Sequence, residues 1–312
     1  MASPPLYIVG GGAVGLHLAA RLHAIAPVTL LARGQRVALL SRDGFDLTGG
    51  EQGHFHVPVR DIRTRIPADA DVILAVKATQ LAPTLAELRM RPGQVLGLCP
   101  GGLGVANLVR SAVPHSGLVR VAGWLGVVLI SPLAVRVNGP ISLELAADNP
   151  GIHPTRDRWR DLLQAGGYTV TTHDDGIAAC EWRTSLWLLA VAGLCAALGE
   201  RNGAVLDSPP LHAVSRALLD EARAVAAADG VSLDDAAIER VFVDTQTYRD
   251  NRGPLLQDLL RGVATEMPFL NAEVARRAGA HGVPALVNAV IARLVEHCER
   301  RPQPADTSQP AT

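Results

Sequence analysis

Leu6-Tyr7-Ile8-Val9-Gly10-Gly11-Gly12-Ala13-Val14-Gly15 is a short apolar run that opens directly into a glycine cluster. Leu16, Leu18, Ala19, Leu22 and Ile25 follow at helical spacing, so the glycines stand between a strand and a helix. Glycines at a GxGxxG spacing are weak evidence alone; in this context they form a dinucleotide-binding loop. Gly10 makes the tight turn, Gly12 lets the backbone reach a pyrophosphate, and Gly15 lets helix and strand pack. The helix start, with the N–H groups of Ala13 and Val14 and the positive end of the helix dipole, then suits phosphate.

Working outward, Pro27 ends the helix, and Val28–Leu31 is a second apolar strand closing on Ala32-Arg33-Gly34. A reader of NAD usually carries an acid there to take the ribose hydroxyls. This chain has Arg33, with Arg36 one turn on and no acid nearby in sequence. Guanidinium pairs with a 2′-phosphate, which a carboxylate repels, so NADP(H) is the expected cofactor. Arg36 reads equally well as part of a solvated helix face.

Beyond it, Arg33–Leu40 reads as a helix and Phe45–Val59 as a hairpin turning at residues 49–50. Asp71–Val76 is a continuous apolar strand of the kind buried on both faces of a parallel sheet. Leu81–Leu88 is helical, Gln94–Leu98 a strand and Val105–Ser111 a helix. This alternation defines an N-terminal α/β, doubly wound Rossmann domain. Gly117–Leu145 is β-rich, and after Tyr168–Thr172 no further strand is evident. Helices are expected over 178–199, 211–229, 233–250, 264–279 and 284–300. The expected division is a nucleotide-binding domain over residues 1–172, an all-helical domain for substrate and dimerisation over 173–301, and a polar, Pro-rich disordered tail over 302–312.

Composition narrows the class. In 312 residues, 48% are hydrophobic, enough for two cores, and a net charge of −1 with no basic stripe points away from nucleic acid and anionic membranes. The opening MASPPLYIVGGG lacks the basic segment and apolar stretch of a secretory signal. The apolar runs Trp124–Val135 and Leu186–Leu198 are short for a bilayer span. Cys99, Cys180, Cys195 and Cys298 are widely spaced, reading as thiols in a reducing compartment, with the cytoplasm as expected location. Lys77 is the only lysine in the chain.

GGGAVG, LLARGQRVALLSRDGF, ILAVKATQL and PGGLG, in that order, resemble the ketopantoate reductase family. The resemblance continues through EWRTSLW, RNGAV, LLQD and TEMPFLNAEVARRAGAHGV, covering essentially the whole chain. It implies a 6-phosphogluconate-dehydrogenase-like fold and reduction of a 2-keto acid with NADPH, the substrate lying in a cleft between the domains. Lys77 matches the family lysine bordering the nicotinamide ribose, Glu266 the acidic residue near the active site and Asn271 the asparagine after it. Asn202 matches a substrate-contacting asparagine, although a capping Asn-Gly turn explains it nearly as well.

Several family residues are replaced. The family's Trp-x-Lys lysine, its general acid and substrate anchor, corresponds to Thr184. At the substrate, two asparagines further along the same helix face correspond to Leu188 and Ala192 and a serine ahead of LeuGlnAsp to Pro254; at the cofactor, the asparagine of the AsnGlyxGly loop corresponds to Gly101. An ammonium gives both charge for a carboxylate and a proton for an alkoxide; a threonine hydroxyl gives a weak hydrogen bond. The pocket is therefore expected to be largely apolar, and ketopantoate is not the expected substrate.

His54 and His56 share one strand face, but two histidines without a third ligand read as solvated, so no metal is expected. Three functions remain open. One is an NADPH-dependent reductase of a larger, less acidic small molecule in specialised metabolism, with Glu266, raised in pKa by burial, or a water held by Thr184 handling the proton. The second is a repurposed fold catalysing a non-redox cyclisation, isomerisation or addition by positioning. The third is a nucleotide sensor without turnover. A homodimer through the helical domain is the only macromolecular partner expected.

Overall fold

The apolar runs of the N-terminal half associate as strands because each is too hydrophobic on both faces to lie at a surface. The computed structural model describes residues 4–139 and 141–301; the expected tail at 302–312 lies outside the described residues. In chain order come β1 (Leu6–Val9), α1 (Ala13–Leu22), β2 (Val28–Ala32), α2 (Gln35–Asp43), β3 (Phe45–Gly49), β4 (Gly53–Phe55) and β5 (Val59–Asp61). Then follow β6 (Asp71–Leu74), α3 (Leu81–Glu87), β7 (Leu96–Leu98), α4 (Val105–Ala112) and β8 (Leu118–Trp124). β9 (Val127–Ser131), β10 (Ala134–Val137), β11 (Ser142–Ala147), α5 (His153–Ala165) and β12 (Thr169–His173) complete the α/β part.

Eight strands form one sheet in the order β12-β11-β8-β7-β6-β1-β2-β5. All neighbours are parallel except β8 and β11. The chain lays β2 and β5 on one side of β1, and β6 and β7 on the other. Winding thus reverses between β1 and β6, the switch point where such sheets bind ligands at their carboxyl ends.

A second sheet, β4-β3-β10-β9, contains a hairpin of β3 and β4 that is shorter than the Phe45–Val59 expected, because Val59 opens β5, which pairs with β2 in the large sheet. Helix α1 lies against β1 and β2 and also against β9 and β10. That double cover buries Gly15 through Ala20 and Leu22, leaving α1 little solvated surface. His17, the polar residue caught inside, has its Nδ1 2.8 Å from the Tyr168 hydroxyl and its Nε2 3.3 Å from the Glu51 carboxylate. Burial still pushes the imidazole pKa below its ordinary value, the nearby Glu51 charge only partly opposing it.

By its contacts the chain divides into two compact units, one comprising the chain through Pro100 and Val105–Cys180, the other Gly101–Gly104 and the chain from Glu181 onward. The main division thus falls after Cys180, later than the 172–173 boundary expected from the polar His173-Asp174-Asp175-Gly176 stretch. It lies inside a helix, α6 (Gly176–Trp187), because β12 still belongs to the large sheet through its pairing with β11.

Beyond α6 come a π-helical turn (Leu188–Ala192), α7 (Gly193–Leu198), α8 (Ala204–Asp207), α9 (Pro209–Ala228) and α10 (Asp235–Thr247). α11 (Pro254–Leu260), α12 (Asn271–His281) and α13 (Leu286–Glu299) follow. The helix expected over 264–279 begins only at Asn271. Pro268 lies in a 3-10 turn, Met267–Phe269, and Leu270, whose backbone (φ −119°, ψ −120°) is not helical, separates the two. The stretch Gly176–Leu198 is long and apolar enough to cross a membrane by length and composition, but its most apolar window is 78% buried within the protein.

Candidate active site

The glycine loop is built by close approach. Gly10 has φ +120°, and a Cβ there would sit 2.7 Å from the Ala75 carbonyl oxygen. A methyl at Gly15 would overlap the Gly10 carbonyl, whereas one at Gly12 would meet no atom of the described residues within 4 Å. The loop is thus pressed against the segment after β6 on one side and open at Gly12 on the other, as a pyrophosphate cradle must be. Helical bonding begins with the Leu16 N–H donating to Gly12 (3.0 Å), so the N–H groups of Ala13, Val14 and Gly15 lie ahead of that ladder. No side chain of Gly12 or acid of the first turn competes for them. These residues fit a dinucleotide.

Lys77 is exposed just past the carboxyl end of β6, at the switch point, and leads into the 3-10 turn Ala78–Gln80. The Gly10 N–H donates to Leu31 (2.9 Å), which brings the end of β2 beside the glycine loop. Arg36 donates to the Gly11 carbonyl and is half-buried, so it belongs to the loop rather than to a solvated face. Burial lowers its guanidinium pKa from the ordinary value without removing the charge. Arg33 donates to the Thr84 hydroxyl (3.0 Å) and lies 3.2 Å from the Glu87 carboxylate. The absence of an acid near Arg33 therefore holds only along the sequence; α3 supplies one in space.

In the helical unit, one loop gathers several candidates. The Leu103 N–H donates to the Phe269 carbonyl (2.7 Å), and Gly102, at φ +104°, packs so closely that a Cβ would lie 2.7 Å from the same residue. The Gly104 N–H donates to the buried Glu181 carboxylate (2.8 Å). Leu188 approaches Gly101, its Cδ1 3.2 Å from where a Cβ would stand. Thr184, one turn before Leu188, is partly buried, its hydroxyl 3.5 Å from the Glu181 carbonyl. Glu266 is also only partly buried, short of the burial expected for it, and precedes the 3-10 turn whose Phe269 holds the loop. Gly101, Thr184, Leu188 and Glu266 are thus all tied to the loop Gly101–Gly104, directly or through adjacent backbone.

Other candidates separate from this group. Thr184, Leu188 and Ala192 do not continue along one regular helix face. In the π turn the Gly193 N–H bonds to Leu188, so Gly193 rather than Ala192 stands one turn above Leu188. Ala192 is fully buried and meets Asn202 at Gly253, where a Cβ would lie 3.4 Å from the Ala192 Cβ and from the Asn202 Oδ1. Asn202 donates to the Tyr248 carbonyl (2.9 Å), and its buried Oδ1 has no hydrogen-bond partner among the described residues. Pro254 follows Gly253, exposed at the first turn of α11. Asn271, expected near substrate, is 0% exposed; it donates to the Leu189 carbonyl in the π turn and to Asn288 (both 2.9 Å). Its Nδ2 thus braces the helix, while its buried Oδ1 has no hydrogen-bond partner among the described residues.

Sequence reasoning missed Glu181 and the charge network behind it. Arg277 donates to Asp229 (2.5 Å) and Glu273 (2.8 Å), and Trp182 and His281 also bond Asp229 (3.2 and 2.8 Å). Burial opposes ionisation of Asp229, but the bonds from Arg277, His281 and Trp182 outweigh it and hold the carboxyl below the usual range. The available signal was EWRT itself, an acid and an arginine inside an otherwise apolar helix. His54 Nε2 and His56 Nε2 lie 3.1 Å apart, with Asp46 on His54 Nδ1 (2.7 Å). Among the described residues, no three His, Cys, Asp or Glu side chains are grouped to hold a metal. A cavity of about 530 Å³ opens between Glu200, Arg201, Asp207 and Arg249, and none of the candidate residues lines it.

Comparison with known proteins agrees with this architecture. Residues 6–149 match the family profile described as ketopantoate reductase PanE/ApbA, and residues 177–299 its C-terminal counterpart. The 2-dehydropantoate 2-reductase of Mycobacterium tuberculosis is 30% identical over 294 residues, 92% of this chain and 95% of the relative. Among solved structures, D-mandelate dehydrogenase with NADH and anilino(oxo)acetate shares the fold at a TM-score of 0.85 and 20% identity, covering 95% of this chain and 98% of that one. A dimeric ketopantoate reductase from Staphylococcus aureus matches at 0.78 and 20%, covering 95% and 99%. The class is that of the oxidoreductases with a Rossmann domain and a helical C-terminal domain. Within it, the chain belongs to the ketopantoate reductase family.

Proposed function

We propose that the protein is an NADP(H)-dependent reductase acting in the cytoplasm on a carbonyl compound larger and less acidic than ketopantoate, in specialised metabolism. The observation that carries this is Thr184: it stands where the family resemblance places a lysine, and the only lysine of the chain is Lys77. Leu188 against Gly101 makes the surroundings apolar as well. The nicotinamide cofactor supplies a hydride when bound. Gly10, Gly12 and Gly15 would admit its pyrophosphate at the N–H groups of Ala13 and Val14, and Lys77 would border the nicotinamide ribose. Thr184 orients the substrate oxygen by a hydrogen bond, and Glu266 relays the proton that neutralises the alkoxide. Cys99 and Cys195 have thiols pushed up to about 12 by burial, which keeps them protonated and inert.

Glu266→Gln keeps size and hydrogen bonding but removes the titrating proton. It is expected to lower kcat on the true substrate by about a hundredfold with an unchanged melting temperature. Full activity in the variant, or loss through unfolding, removes Glu266 from the proton path.

The dimer is proposed to form through α13. Leu286, Val290 and Leu294 recur every fourth residue and are 74%, 47% and 46% exposed, an apolar stripe left open by the described residues. Val290→Glu is expected to convert a dimer to a monomer in light scattering at micromolar concentration; an unchanged mass moves the interface elsewhere.

A further inference from the structure

We propose that Glu87 sets the cofactor preference of this protein by competing with the 2′-phosphate for Arg33. The inference rests on the proposal that the glycine loop binds a nicotinamide dinucleotide, and concerns how that same site chooses between the two.

Arg33 follows directly on β2, whose end is fixed beside the loop by the Gly10–Leu31 hydrogen bond, so it stands where a ribose 2′ substituent is read. Its guanidinium is already engaged. Nε is 3.2 Å from one Glu87 oxygen and Nη2 is 3.0 Å from Thr84 Oγ1. The other Glu87 oxygen is 2.9 Å from Arg63 Nη2. One carboxylate from the end of α3 therefore bridges two guanidinium groups, on β2's exit and on the loop after β5.

The bridge is weak enough to be displaced. The side chains of Arg33, Glu87 and Arg63 are 35%, 28% and 67% exposed, so water screens their attraction. A 2′-phosphate offers the same guanidinium a stronger, bidentate anion. To bind, however, it must displace Glu87 and then tolerate that carboxylate close by. A cofactor with a free 2′-hydroxyl meets no such repulsion. Glu87 thus supplies from α3 the acid that the end of β2 lacks, and it narrows the preference for the phosphorylated cofactor that Arg33 alone would impose.

The test is calorimetric titration of the full chain, wild type and Glu87→Gln, with 2′,5′-ADP and with 5′-ADP. Both fragments lack nicotinamide, so the readout is independent of turnover. Removing the charge is expected to tighten 2′,5′-ADP roughly three- to tenfold while leaving 5′-ADP within about twofold. Glu87→Asp, which keeps the charge and shortens the reach, should fall between wild type and Gln. If the ratio of the two affinities does not move, or both tighten alike, Glu87 does not set the preference and only this inference falls. If neither nucleotide binds wild type or variant, the nucleotide-binding proposal falls with it.

Discussion

Gly15→Ala is expected to destabilise the protein by about 3 kcal/mol, while Gly12→Ala leaves stability nearly unchanged and abolishes tight nucleotide binding. The two glycines lie in the same loop but meet different neighbours. A methyl at Gly15 overlaps the Gly10 carbonyl, and α1 cannot move away because sheets cover it on two sides. Overpacking of that kind is relieved only by shifting backbone, and the melting temperature should fall by on the order of 10 °C. A methyl at Gly12 meets no described residue within 4 Å, so the folded protein accommodates it. It fills the space a pyrophosphate would take, and NADPH affinity should fall about a hundredfold, or about 2.7 kcal/mol. Thermal melting and calorimetry separate the two variants. Equal stability loss in both would show that the loop is not packed as described, and unimpaired binding by Gly12→Ala would remove the cradle.

Ketopantoate turnover by the wild-type protein is expected to be at least about a thousandfold below that of a family member bearing the Trp-x-Lys lysine, and Thr184→Lys should recover about a hundredfold of it. A lysine ammonium attracts the substrate carboxylate and donates the proton; the Thr184 hydroxyl has no charge to offer. The site has room for the longer side chain, since Thr184 is only partly buried. Recovery should be incomplete because Leu188 still presents methyl groups near Gly101 where the family resemblance places an amide. Measuring kcat/KM for both proteins decides the matter. Ordinary ketopantoate turnover by the wild type would show that Thr184 does not occupy the lysine's place.

The nucleotide loop was legible because strand, glycines and helix are contiguous, and each imposes its own local pattern. Helix α5 was not. HPTRDRWRDLLQA carries five charged residues among its thirteen, and its buried residues are only Arg156, Trp159 and Leu163. The π turn was equally hidden, since LWLLAVAGLCAAL is apolar at almost every position and carries no phase from which a slip could be read. The bracing role of Asn271 follows from that turn and was hidden with it. Arg33 illustrates another limit. Its charge was evident, but its Glu87 partner lies on a separate helix and is brought near only by the parallel pairing of β2, β1 and β6.

The four residues Gly101–Gly104 have a consequence for modular inheritance. They sit in the midst of the nucleotide-binding sequence yet are held by Phe269 and Glu181, so the chain passes from one unit to the other three times, at 100/101, 104/105 and 180/181. A single cut at the last passage would leave this tether in one fragment and its anchors in the other. Recombining such halves from different relatives would mismatch the tether with foreign anchors. The natural unit of exchange is therefore a graft with three sutures, in which Gly101–Gly104 travels with the helices that grip it.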